Sequence, residues 1–97
     1  MVHVVIAQFT IKAELMAEFC ELMKGEMGFS KTRAYEGMRE LVVCVEGNVM
    51  TLYERWDAKS NWEAYMAWRG ENGFADLAGK FFDGEPSFIH TTVDESL

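Results

Sequence analysis

The chain has 97 residues, one domain's worth, with room for a modest core. Its net charge of −7 and pI of about 4.7 argue against a nucleic-acid backbone as partner, because phosphate recognition needs a basic stripe. Apolar residues make up 49% and aromatic ones 13%, so either the core is rich or a second subunit covers apolar surface.

Residues 2–11 read as a strand because their β-branched side chains favour extended structure. Val2, Val4 and Ile6 lie on one parity and Val5, Ala7, Phe9 and Ile11 on the other, the pattern of a strand buried on both faces. The same N-terminal stretch lacks a basic region and a small-residue cleavage site, and it is too short to span a membrane. A cytoplasmic location is therefore expected, with Cys20 and Cys44 as buried reduced thiols. Residues 13–27 switch to helical spacing, with Leu15, Phe19, Leu22, Met23 and Met27 on one stripe; Gly25 weakens the last turn and Gly28 ends it. "SKTRAYEG" is then a polar connection with room for one helical turn. Residues 38–45 and 49–56 read as strands joined through Glu46, Gly47 and Asn48, a tight hairpin. Residues 59–68 are helical, with Asp57 or Ser60 as N-cap, until "RGENG" breaks the helix. Residues 74–82 resume it with Phe74, Leu77, Ala78, Phe81 and Phe82 in helical register. Pro86 opens a last strand over 87–93.

The order β-α-β-β-α-β, with the second helix split, is the ferredoxin-like pattern of an α+β fold, here a single domain over residues 1–97. Helices would cover one face of an antiparallel sheet. The other face, apolar in the first strand and in "LVVCV", would be buried by a second copy of the chain.

The segments "TRAYEGMRELVV", "TLYERWDAKSNWEAYMA" and "FFDGEPSFIHTTV" occur in that order. Together they resemble the antibiotic biosynthesis monooxygenase (ABM) domain over nearly the whole chain: a Thr-Arg, a Gly opening the second strand and a Tyr-Glu-x-Trp ending the third. The resemblance implies a homodimer, a dimeric α/β barrel with sheets packed face to face. Some members oxidise aromatic polyketides or quinols with dioxygen and no cofactor, and some degrade haem. Fold alone does not choose between them. In the cofactor-free members an Asn, a Trp and a Tyr near the end of strand three and the next helix serve the reaction. The Trp falls on Trp56, the Tyr on Trp62, which lacks the hydroxyl, and the Asn on Leu52, which cannot hydrogen-bond. The haem-degrading pattern falls on Ala7, Tyr65 and Leu77 or Ala78, none of them an axial ligand.

Trp56, Trp62 and Trp68 are spaced six apart, yet on a helix Trp62 and Trp68 point about 120° apart and form no single stripe. Trp62 groups with Tyr65, Met66 and Arg69 on a core face, and Trp68 falls at a lid, rim or dimer edge. Trp56 reads as a core anchor or a pocket wall. Tyr65, where many similar sequences carry a histidine, offers a phenol to a substrate or a satisfied buried hydroxyl. Arg33 could pair with Glu54 or attract an anion. His3 and His90, on neighbouring strands, could meet across the ladder; a metal site would need a third ligand, so no metal is expected, and His90 stands as a conceivable base. The catalytic candidates are thus Trp56, Trp62, Tyr65 and His90, and the substrate-binding candidates are Arg33, Trp68, Phe74 and Met66. The first expectation is a cofactor-independent monooxygenase for a small aromatic or quinol-type substrate. The alternative is a non-catalytic dimeric module that binds a ligand or supports assembly, which Leu52 favours.

Overall fold

A computed structural model describes residues 1–97. Four strands form one antiparallel sheet: β1 (His3–Thr10), β2 (Met38–Glu46), β3 (Val49–Trp56) and β4 (Ser87–Thr92), in the order β2-β3-β1-β4. Between β1 and β2 lie α1 (Met16–Lys24), preceded by a short 3-10 turn at Ala13–Leu15, and α2 (Phe29–Ala34). Between β3 and β4 lie α3 (Lys59–Glu71) and α4 (Phe74–Phe81). This is the ferredoxin-like α+β arrangement, with the second helix in two pieces.

Strand alternation decides what faces the helices. On β3, Met50, Leu52, Glu54 and Trp56 are all buried, while Val49, Thr51, Tyr53 and Arg55 point the other way and are half-buried. Beside them on β1, Val5, Ala7 and Phe9 share the inner face, continued by Ile11, which bridges to Phe82. Phe19 of α1 and Phe81 of α4 close over this layer, with ring centroids 5.3 Å apart. Each such large apolar side chain contributes about 1.5–3 kcal/mol on full burial. A second, smaller cluster joins Val5, Trp56 and Tyr65 at the opposite end of the sheet, and Phe88 of β4 packs on both.

The uncovered sheet face is less apolar than the sequence suggests. One row of apolar side chains, Val42–Tyr53–Ile6–Ile89, crosses all four strands in register. The next row, Cys44–Thr51–Gln8–Ser87, is largely polar. Val43 and Val45 belong to the helix-facing parity, so "LVVCV" serves both faces rather than doubling the apolar content of one. Cys44 is exposed on the uncovered face and Cys20 is half-buried; both are free thiols, so only Cys20 approaches the expected burial.

Helix boundaries depart from the sequence reading for local reasons. Gly25, not Gly28, caps α1, its N–H donating to the Leu22 carbonyl. Gly28 instead starts α2, which replaces the expected polar loop. A Cβ at Gly28 would overlap the backbone of Met23, so the glycine lets the start of α2 lie against the end of α1. Helix α3 starts after Ala58, which offers no side-chain cap, and runs through Arg69 and Gly70 to Glu71. The break comes at Gly73, which adopts the left-handed region at φ 96°. No helix is long and apolar enough to cross a membrane.

Candidate active site

A cavity of about 230 Å³ lies between the inner sheet face and the helices. Phe9, Leu52, Phe82 and Phe88 supply the sheet side, and Phe19, Met23, Met66, Phe74 and Leu77 the helix side. It opens where α1 runs into α2. There Leu22 and Met27 line the cavity while 44% and 45% exposed, and Asn72 and Gly73 after α3, exposed as well, share the mouth.

Polar groups in this wall are few: Glu54 from β3, Tyr65 and Arg69 from α3, and Asn72 just beyond it. Glu54 is 3% exposed and enters none of the chain's three ion pairs. Its one hydrogen bond comes from the Trp56 indole Nε1–H, which donates to Oε1 at 2.9 Å. Burial pushes the carboxyl up to about 7, and the Trp56 hydrogen bond restrains it only partly. Nothing cationic offsets the cost of ionising it, because Arg33 donates instead to the Leu41 carbonyl at 3.3 Å.

Of its two sequence readings, Tyr65 shows the buried hydroxyl that is satisfied within the chain. Its ring lines the cavity, and its hydroxyl is engaged by Thr32 Oγ1 at 2.6 Å and by Arg69 Nε, which donates at 2.7 Å. The Arg69 guanidinium also donates to the Met27 and Gly28 carbonyls and to Thr32 Oγ1, and it lies over the Trp68 ring at 5.0 Å. One arginine thereby ties α3 to the segment leading into α2. Arg69 makes these contacts from within α3, which continues to Glu71 where the glycine after Arg69 suggested an end.

The other candidates stand elsewhere. Met66 and Phe74 line the cavity with Tyr65, but Trp62, Trp68, Arg33 and His90 do not. Trp56 reaches it only through Glu54. Trp62 packs edge-on against Phe88 and His90, at centroid distances of 5.6 and 4.5 Å, and its buried indole N–H finds no acceptor. Trp68 rests on Tyr35 and Arg69. His90 is exposed and stacks on buried His3, with Nδ1 and Nε2 2.9 Å apart, so the two do meet across the ladder. Both are held below the usual imidazole range, first by burial and then by nearby positive charge. No third metal-ligand side chain joins them.

The residue that sequence reasoning passed over is Glu54, treated there only as a partner for Arg33. The signal was in β3 itself: Met50, Leu52 and Trp56 share one parity, and Glu54 is the only charge on it. Strand alternation makes such a residue an inward-facing acid.

No family model matches the chain, and no curated protein matches it. Solved structures do match. Rv0793 from Mycobacterium tuberculosis superposes over 100% of both chains, with TM-score 0.80 at 17% identity. A "putative antibiotic biosynthesis monooxygenase" from Deinococcus radiodurans covers 100% of this chain and 96% of its own, with TM-score 0.79 at 17% identity. The monooxygenase from the gene ActVA-Orf6 of Streptomyces coelicolor, solved with the ligand nanaomycin D, covers 98% and 89%, with TM-score 0.72 at 15% identity. The chain has the ABM fold. The ABM resemblance carried by "TRAYEG" and "YERW" thus agrees with the three-dimensional match, which at this identity speaks for the fold alone. Within the ABM fold, Leu52 stays an apolar wall residue, and the inward-facing polar group of β3 lies two residues on, at Glu54.

Proposed function

We propose that the protein is a monooxygenase that takes a small, flat phenolic or quinol-type aromatic into the cavity and oxidises it with dioxygen. The observation that carries this reading is the cavity itself: an apolar space walled by phenylalanine and methionine side chains and reached by one unpaired carboxyl. The named monooxygenases that share the fold support it. Such a substrate needs no separate electron carrier in this chemistry, because its phenolate is electron-rich enough to reduce dioxygen. One oxygen atom ends in the product as a ring carbonyl and the other leaves as water. The four electrons that reduce dioxygen come from the ring carbon and its hydrogen and from the phenol. Apolar walls keep water from the reactive intermediate, and facing rings hold the substrate flat.

Oxygen uptake with a panel of dihydroxynaphthalenes and anthrones tests the proposal. The expected result is one dioxygen consumed per carbonyl formed. Folded protein with no uptake above buffer for any member would remove the catalytic claim. The second reading, a module that binds without turnover, rests on Leu52, which offers no hydrogen bond, and on the Tyr65 hydroxyl, which is already engaged. It would show as binding of the same compounds with no oxygen consumed.

The same reading includes a homodimer in which the row Val42–Tyr53–Ile6–Ile89 meets its copy. Ile89 is 58% exposed and Val42 43%, apolar surface that a symmetric partner would bury. Sedimentation at micromolar concentration should give twice the chain mass, and Ile89→Glu should return the monomer. A wild-type monomer under those conditions would remove the dimer from the proposal.

A further inference from the structure

Glu54 is the only acid among the side chains that line the cavity. The other titratable or charged groups facing it are Tyr65 and Arg69, both from α3; α1, α2, α4, β1 and β4 present only apolar side chains. Tyr65 and Arg69 are bonded to each other and to Thr32, and Arg69 also to the Met27 and Gly28 carbonyls. The Tyr65 hydroxyl and the Arg69 guanidinium are therefore committed to holding α3 in place. The Glu54 carboxyl is committed on one side only. Trp56 fixes Oε1, and Oε2 is left without a hydrogen bond at the cavity wall. A carboxylate with one oxygen anchored and the other facing an apolar, ring-walled space is placed to exchange a proton with whatever hydroxyl enters.

We propose that Glu54 is the catalytic base of this site: Oε2 takes the proton of the bound phenolic hydroxyl and later delivers it to the departing oxygen. The assignment rests on the reading of the cavity as a site of aromatic oxidation. Its steps balance. The substrate O–H bond breaks and its proton passes to Glu54. The phenolate transfers one electron to dioxygen, and the resulting radical and superoxide join through a C–O bond. The peroxide oxygen takes the proton back from Glu54 as a hydroperoxide. Glu54 then removes the hydrogen on that carbon as a proton. The electron pair of the C–H bond forms the ring carbonyl, and the O–O bond breaks. Hydroxide leaves, takes the proton from Glu54 and departs as water, and the carboxylate is restored. Burial supports the role, because a carboxyl raised to about 7 is poised between its two forms near neutral pH, where general bases work best. Trp56 acts through Glu54 as a positioning residue.

The test separates proton transfer from oxygen chemistry. A nitro-substituted naphthol, whose anion absorbs at longer wavelength than its neutral form, is mixed anaerobically with wild type, Glu54→Gln and Glu54→Asp near pH 7. Wild type should bind the probe and ionise it. Glu54→Gln keeps an acceptor for the Trp56 N–H, so it should bind the probe and leave it at least tenfold less ionised, with partial recovery in Glu54→Asp. With oxygen and a turned-over substrate, Glu54→Gln should lose about 100-fold or more in rate. The rise of kcat/KM through pH 7 should disappear in the same variant. Equal ionisation in wild type and Glu54→Gln overturns the assignment and leaves the cavity reading standing. Ionisation by wild type but not by Glu54→Gln, with no oxygen uptake, leaves Glu54 as the proton acceptor of a binding site and overturns both the oxidation reading and the catalytic role. No binding of the probe by folded wild type overturns both.

Discussion

Above neutral pH, Glu54→Gln is expected to be more stable than wild type, and the gap should close as the solution is made acidic. The carboxyl has an ordinary value of 4.5 and is pushed to about 7 in the folded chain. Below pH 4.5 it is protonated in both folded and unfolded states, and its favourable contribution is fully present. Between 4.5 and 7 the unfolded chain releases the proton while the folded one retains it. Stability falls there by about 1.4 kcal/mol per pH unit. The loss totals about 3 kcal/mol once the pH passes the folded value. Glutamine carries no titratable proton, so this slope is missing from the variant, whereas the other carboxylates titrate alike in both proteins and cancel. Urea unfolding of the two proteins at pH 5 and pH 8 reads the difference directly. Parallel pH dependences would mean that Glu54 reaches water in the folded state, contrary to its 3% exposure. A cost of this size kept at one buried position is what the proposed proton-transfer role of Glu54 would explain.

Substitution of Trp56 should disturb stability and proton affinity together. The indole is fully buried between Val5 and Tyr65, with the Tyr65 ring centroid 5.3 Å away. Trp56→Ala should cost about 3–5 kcal/mol. That is a large part of the roughly 5–15 kcal/mol by which domains are stable, and thermal unfolding would record it as a marked fall in Tm. Trp56→Phe keeps much of the apolar volume but removes the N–H that donates to Glu54. Since that hydrogen bond lowers the carboxyl's value against the upward pull of burial, its loss should move Glu54 above 7. Carbon-detected NMR titration of the Glu54 carboxyl measures this. An unmoved titration in a folded Trp56→Phe protein would show that the 2.9 Å contact does not govern the acid.

The strands, their hairpin and the β-α-β-β-α-β order were legible because each rests on a local period, and tertiary packing did not override it. The site was less legible. The evenly spaced tryptophans point to α3, yet Trp62 and Trp68 lie outside the cavity, Trp62 against His90 and the cavity residue Phe88, Trp68 against Tyr35 and the cavity residue Arg69. Aromatic rings do not announce whether they border a space or fill one; that depends on what lies opposite. Helix α2 was hidden for a related reason. Its buried residue is Thr32, held by Tyr65 and Arg69 from a distant part of the chain, so no apolar stripe marks it. Glu54 was recoverable from β3 alone, since alternation fixes its direction. Its isolation was not, because the partner it lacks could be read only once Arg33 was seen bonded to Leu41.

Along one lip of the cavity's mouth the Arg69 guanidinium fastens α3 to the Met27 and Gly28 carbonyls, so the main chain there is held. The exposed side chains of Leu22 and Met27 border the opening. Exposed side chains such as these change rotamer in picoseconds to nanoseconds, far faster than elements move against one another. A rim with a tied backbone and rotatable side chains can change the width of its mouth without α3 shifting against the start of α2.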